Sequence, residues 1–227
     1  MTDQPRLHWQ PVAVPPHAPL EGRFVRLEPL DDARHGDDLW DALQGPAADP
    51  ALWDYLPYGP FPERPAFDAW LAGHAASRDP LFFAVVDRVG GRATGLLSLM
   101  RITPKDGCIE IGHVAFGRPM QRTPGSTEAI WLLAHLVMDT LGYRRLEWKC
   151  NALNQRSRVA AQRLGFVYEG LFRQHMVVKD CNRDTAWYSL IDRDWPACRA
   201  AFEHWLAADN FDAAGRQRRS LEALRGA

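Results

Sequence analysis

Apolar and charged side chains alternate along "RFVRLEPL" (residues 23–30), the period of a strand buried on one face. Asp31 or Asp32 then offers an N-cap for a helix running to about Leu43, which "GPAADP" ends. "ALWDYLPYGPF" (51–61) mixes aromatic and turn residues and reads as a structured loop; "PERPAFDAWLAGHAASR" (62–78) reads as a second helix. The pattern then changes. "LFFAVVDR" (81–88), "ATGLLSLMRI" (93–102) and "CIEIGHVAFG" (108–117) are three strands, with Gly90, Gly91 and Gly107 in the turns of an antiparallel meander. Ala129, Leu132, Leu133, Leu136, Val137 and Leu141 recur at helical spacing and predict a helix over 126–142, stopped by Gly142. A strand follows at 144–151, then a short helix at 154–165 with an asparagine cap and a terminal glycine. Strands at 166–178 and 184–193 pair across "KDCNR", and a helix at 195–209 closes the order. The succession predicts an α/β (α+β) fold: a mixed, mostly antiparallel sheet with helices on both faces.

Length narrows this further. With 227 residues, 46% of them hydrophobic, the chain suits one large domain with added ends. The ends are a proline-rich extended arm (1–22) and a helical extension (194–227) around a domain at 23–193. A net charge of −1 supplies no field for steering to nucleic acid or an anionic membrane, and neither is expected as a partner. The densest basic cluster, Arg216, Arg218 and Arg219, reads as the solvated side of a C-terminal helix. Cys108, Cys150, Cys181 and Cys198 never form CxxC, which suits reduced thiols and a cytoplasmic location. The eight histidines include no HxH or HxxxH pair, so no metal site is expected. No apolar run approaches the ~18 residues of a membrane span, and the first residues lack a signal-peptide pattern.

The stretch "RPMQRTPGSTEAIWLL" (118–133) carries the first chemistry. Pro124 suits the first helical position and puts Thr123 at the N-cap. The N–H groups of Gly125, Ser126 and Thr127 are then free, Gly125 admits close backbone approach, and Arg122 stands beside them. That is an anion cradle, although Thr123 can also satisfy the donors itself, and Glu128 can serve the helix dipole without a ligand. The lysine of nucleotide-hydrolase phosphate loops is absent.

With this stretch the chain resembles the GNAT superfamily of acetyl-CoA-dependent N-acetyltransferases, most of all the ribosomal-protein N-acetyltransferase (RimJ/RimL-type) branch. "RTPGST" (122–127) is similar to the family's pyrophosphate loop, with Arg122 and Gly125 in place; Thr127 stands where a small residue is usual, and Pro124 removes a donor. "EIGHV" (110–114) is similar to the strand that splays from its neighbour and pairs with pantetheine, which assigns Val114 and Phe116 to the cofactor. "NALNQRS" (151–157) carries the N-x-x-S element, and "AAQRLGFVYEG" (160–170) resembles the family's helix–strand junction. The likeness covers about residues 23–193. It implies a GNAT-like fold and direct transfer of acetyl from acetyl-CoA to a primary amine of a small molecule or peptide, without a metal; a homodimer is an open possibility.

The proton steps then need residues. Glu110 is the expected base: with Ile109 and Ile111 on one side of the strand, it faces the other beside Gly112 and Val114, and burial would raise its pKa. His113, expected on the opposite face, and His175 are alternatives. Ser157 is the expected acid at the leaving thiolate, Asn154 a cap or a pantetheine partner, and Arg158 a reach to the CoA phosphates. Trp53, Asp54, Tyr55, Tyr58 and Phe61 are expected to wall the acceptor site, with Asp54 pairing the ammonium; packing of that loop on the sheet is the competing reading. A non-catalytic acyl-CoA sensor on the same fold is the alternative function.

Overall fold

The meander forms as the pattern predicts, and the sheet then changes direction at one seam. The computed structural model describes residues 6–226. Among them, one sheet is formed by β1 (Leu20–Glu21), β2 (Val25–Pro29), β3 (Leu81–Asp87), β4 (Ala93–Thr103), β5 (Cys108–Phe116), β6 (Arg145–Asn151), β7 (Val167–Val178) and β8 (Cys181–Ile191). Their spatial order is β1-β2-β3-β4-β5-β6-β8-β7. Neighbours are antiparallel except β5 and β6, which run parallel.

The helices are α1 (Asp32–Gln44), α2 (Arg64–Ala75), α3 (Pro124–His135), α4 (Gln155–Arg163), α5 (Trp195–Leu206) and the short α6 (Leu221–Arg225). Asp31 caps α1 by accepting from the Arg34 N–H. Beyond α3 the chain continues through a π turn, Leu136–Thr140, to Gly142 at φ +74°, which extends the apolar stripe to its predicted end in a wider coil. Glu128 does not serve the helix dipole. Its buried carboxylate accepts from the N–H groups of Arg23, Phe24 and Val25 and ties α3 to the start of β2.

Two apolar clusters divide the core. Leu133 and Val137 beside α5's Phe202 and Trp205 share one with Val85, Leu99, Ile111, Leu146 and Tyr188. Leu39, Leu43, Phe67 and Leu71 of α1 and α2 share the other with Phe82, Ala84, Leu96 and Ala115. The ends join this body. Trp9 Nε1 donates to the Lys105 carbonyl (2.7 Å) and Tyr143 to that of Ala13 (3.1 Å), and Leu20–Glu21 within the expected arm form β1; residues 1–5 of that arm lie outside the described residues. Arg216, Arg218 and Arg219 are not helical. They lie in a turn stapled by Asp212, which accepts from Arg216.

One irregularity overturns a predicted facing. Along β4 and β5 the register passes from Ser98↔Gly112 to Leu96↔Ala115, leaving an extra residue on β5, and His113 takes φ +52°. A bulge resets the alternation of side chains. His113 therefore points to the same side as Glu110, against Phe82, while Val114 turns to the α3 side. The expectation of His113 opposite Glu110 and Val114 beside it is corrected on both counts.

Candidate active site

β5 and β6 pair only over Cys108↔Arg145 to Ile111↔Trp148. Beyond that point β5 runs on to Phe116 and β6 to Asn151 without pairing to each other, so the seam opens, and Val114 and Phe116 lie along the open part.

At the end of β5 the chain enters α3, whose first turn is unusual. In α1, α2, α4, α5 and α6 the N-cap carbonyl accepts the N–H four residues on. In α3 the Thr123 carbonyl instead accepts from the Ser126 hydroxyl (2.8 Å). The N–H group of Gly125 has no partner among the described residues, and Ser126 N–H has only a long contact to Thr123 Oγ1 (3.4 Å). Orphan donors at a helix start attract anions. The side chains behave otherwise than expected. Gly125 is buried, and a Cβ there would stand 2.9 Å from Val25 Cγ1, so the glycine is needed for packing on β2. Thr127 is buried and accepts from Arg163 (3.0 Å). Arg122 is exposed at φ +61°.

On the other side of the sheet, Glu110 is buried rather than surface-exposed. It binds Lys149 Nζ (2.8 Å) and Arg101 Nε (3.0 Å). Burial pushes its carboxyl up, and Lys149 and Arg101 pull against that; the net direction is upward. Lys149 also bonds Glu147 (2.6 Å) and lies 3.9 Å over the Trp187 ring. Arg145 bridges Glu147 (2.7 Å) and Glu169 (2.6 Å), which brings Glu169 down to about 2, chiefly through the Arg145 hydrogen bond.

His113 Nδ1 is 2.8 Å from the Tyr58 hydroxyl, and the rings stack. Burial, then the nearby His74, Arg101 and Arg183, hold His113 down at about 4, so it is neutral at pH 7. Burial likewise holds His74 at about 4 and raises Tyr58. Thus Tyr58 reaches the site. Trp53 does not: it is fully buried, donates to the Leu43 carbonyl and packs on Phe61 and Trp70. A 3-10 turn (Pro50–Trp53) turns its ring inward, so Trp53 and Phe61 are packing residues and not wall residues. Asp54 is exposed at the end of that turn, and Tyr55 donates to the Leu153 carbonyl (3.2 Å).

At the end of β6, Asn154 caps α4 by accepting from Ser157 N–H (3.0 Å), and the Ser157 hydroxyl accepts from Trp148 Nε1 (2.9 Å). Arg158 bonds the Tyr188 hydroxyl (3.2 Å) and the Ala152 carbonyl (3.4 Å). Beside this turn an open cleft of about 750 Å³ is lined by Asn151, Ala152 and Leu153 and by Arg173, Gln174, Asn182 and Asp184 of the β7–β8 hairpin. His175, the other alternative base, bonds Thr185 (3.0 Å). Sequence reasoning missed Lys149, Glu147, Arg101 and Arg183. The alternation of "RLEWKCN" already put Glu147 and Lys149 on one face; what they meet depends on strand pairing.

Comparison with known proteins places this geometry. The Acetyltransferase (GNAT) domain family model matches residues 25–167. A GCN5-related N-acetyltransferase from Brucella melitensis is 46% identical with a TM-score of 0.93, over 97% of this chain and 99% of its own. A probable acetyltransferase of the GNAT family from Chromobacterium violaceum is 40% identical with a TM-score of 0.79, over 86% and 97%. At 18% identity and a TM-score of 0.62, an acetyl transferase from Salmonella typhimurium that modifies the N-terminal serine of 50S ribosomal subunit protein L7/L12 shares the fold, over 75% and 96%. No curated protein matches.

Proposed function

The chain belongs to the GNAT acetyltransferase family, and from that premise we propose that it moves an acetyl group from acetyl-CoA directly to the primary amine of an acceptor. The observation that carries this reading is the opened β5–β6 seam with the loosely capped first turn of α3 at its end. The β5 edge left unpaired on its β6 side suits an extended amide-bearing arm, and the free N–H of Gly125 with the loosely held N–H of Ser126 suits a pyrophosphate. Thus Val114 and Phe116, with the turn from Arg122 to Thr127, would hold acetyl-CoA, and Asn154 would stay a cap. We place the protein on the ribosomal-protein N-acetyltransferase (RimJ/RimL-type) branch, a reading supported by the distant fold likeness above and by the N-x-x-S element at Asn154–Ser157.

Acetyl-CoA supplies the activated acyl group. The protein's own task is to move protons. Glu110, buried and displaced upward, takes the proton of the incoming ammonium, directly or through a water. Lys149 and Arg101 fix its carboxylate and oppose the upward push of burial. The Ser157 hydroxyl accepts from Trp148 Nε1 and lies against Cys150, and turning its hydrogen from Cys150 to the departing sulfur would let it donate there. Neutral His113 and Tyr58 form the wall next to Glu110. Location in the cytoplasm is proposed on the four free cysteines; no helix among the described residues is long and apolar enough to cross a membrane.

Release of free CoA thiol from acetyl-CoA, measured against a panel of amines, tests the reading. Amine-dependent release with a matching acetylated product is expected. CoA binding without turnover of any amine would instead identify an acyl-CoA sensor.

A further inference from the structure

The ion pairs on the open face of the sheet form one alternating row. Arg101 binds Glu110, Glu110 binds Lys149, Lys149 binds Glu147, Glu147 binds Arg145, and Arg145 binds Glu169. Three cations meet three carboxylates, so the row is neutral within itself. Arg183 is the surplus charge beside it. The pairs Asn151↔Thr185 and Lys149↔Trp187 put alternate residues of β8 on the face of Lys149, and Arg183 continues that set. Burial lowers its pKa against the pull of Cys150 and then Glu110, and its own charge contributes to lowering His113, in keeping with a place near the expected reaction centre.

Arg183 is half-buried, yet its side chain makes no ion pair or hydrogen bond among the described residues, and its Nε is sealed from solvent without a partner. The adjacent Asp184 does not serve it: that carboxylate accepts from Gln174 N–H (2.7 Å) and lines the cleft beside the β6–α4 turn. A half-buried, unpaired guanidinium is unfavourable on its own, and its planar fork matches a carboxylate in two parallel hydrogen bonds.

We propose that Arg183 binds a carboxylate carried by the acceptor near its amine, so that the acceptors are amino acids or peptides with an acidic first residue. This rests on the acetyl-transfer reading above.

The test compares matched acceptors in the wild-type protein, Arg183→Met and Arg183→Lys. Free amino acids are set against their amides, and Asp-led dipeptide amides against Asn-led ones; the first pair reports an α-carboxylate and the second a side-chain carboxylate. The wild type is expected to favour the acid member of at least one pair by at least about tenfold in kcat/KM, as recognition by a buried polar group allows. Arg183→Met should erase that preference with the KM for acetyl-CoA unchanged, and Arg183→Lys should keep part of it. Equal rates within both pairs, or a preference that survives Arg183→Met, would overturn the proposal. So would a raised KM for acetyl-CoA, which would put the guanidinium on CoA. If no amine is acetylated, the transfer reading fails, and calorimetry with N-acetylglycine and its amide still decides the role of Arg183: the acid alone should bind, and only to the protein that keeps the arginine. Equal or absent binding of both would overturn it.

Discussion

β3 and β6 belong to one sheet and bury their backbones alike, but their side chains meet different surroundings. β3, "LFFAVVD", is apolar on both faces, and every residue but the last is buried. It lies between α1 and α2 on one side and the α3–α5 cluster on the other. β6, "RLEWKCN", alternates: Leu146, Trp148 and Cys150 are buried toward α3, while Arg145, Glu147 and Lys149 face the other way into ion pairs. The face turned from α3 is thus sealed by helices over β2–β4 and polar from β5 to β7, and the β5–β6 seam opens within that polar part. A sealed half supplies stability. A polar half beside it keeps charges close to a cleft where a low dielectric strengthens them.

The largest expected effect breaks the polar half. Glu110→Gln should lower kcat by about 10²- to 10⁴-fold, the range for losing a general base, with CoA affinity nearly unchanged. Steady-state kinetics beside calorimetry checks it; an unchanged kcat would move the proton step elsewhere. Next, Trp53→Ala should break the sealed half. Loss of a fully buried tryptophan costs about 3–5 kcal/mol, read in urea unfolding. A smaller cost would return Trp53 to the acceptor wall. Gly125→Ala should cost about 1–3 kcal/mol by overpacking Val25, again in urea unfolding, and should weaken CoA binding less than it weakens the fold.

A pH titration sharpens the contrast. His113 and His74 sit near 4 when folded, against an ordinary 6.5, so the unfolded chain binds more protons between those values. Their contribution to stability is complete above about pH 6.5 and is lost as pH falls toward 4. His113→Gln should flatten that slope in unfolding measured from pH 7 to 4. Ser157→Ala should have the smallest effect on stability, about 1 kcal/mol, by leaving Trp148 Nε1 without its acceptor.

Much of this division was legible in the residue pattern. A continuous apolar run marks a strand covered on both faces, and strict alternation marks one covered on a single face, so β3 and β6 announced their surroundings. The caps at Asp31, Thr123 and Asn154 were legible for the same local reason. The bulge at His113 was not, because it arises from the register of β5 against β4, which no single strand contains. Trp53 was misread because the prolines around it hide a short turn whose sense only the packed core decides. The isolation of Arg183 was invisible too: an arginine is surplus only once Glu110, Glu147 and Glu169 have taken other partners.

The central claim is that the opened seam and the start of α3 hold CoA. Amide hydrogen exchange with and without CoA tests it most directly. CoA should slow exchange at those amides of Val114 to Phe116 that point from β5 into the opening and at Gly125 and Ser126, while β3 amides, already paired to β2 and β4, stay as they were. Protection confined to other segments, or none at saturating CoA, would contradict the account.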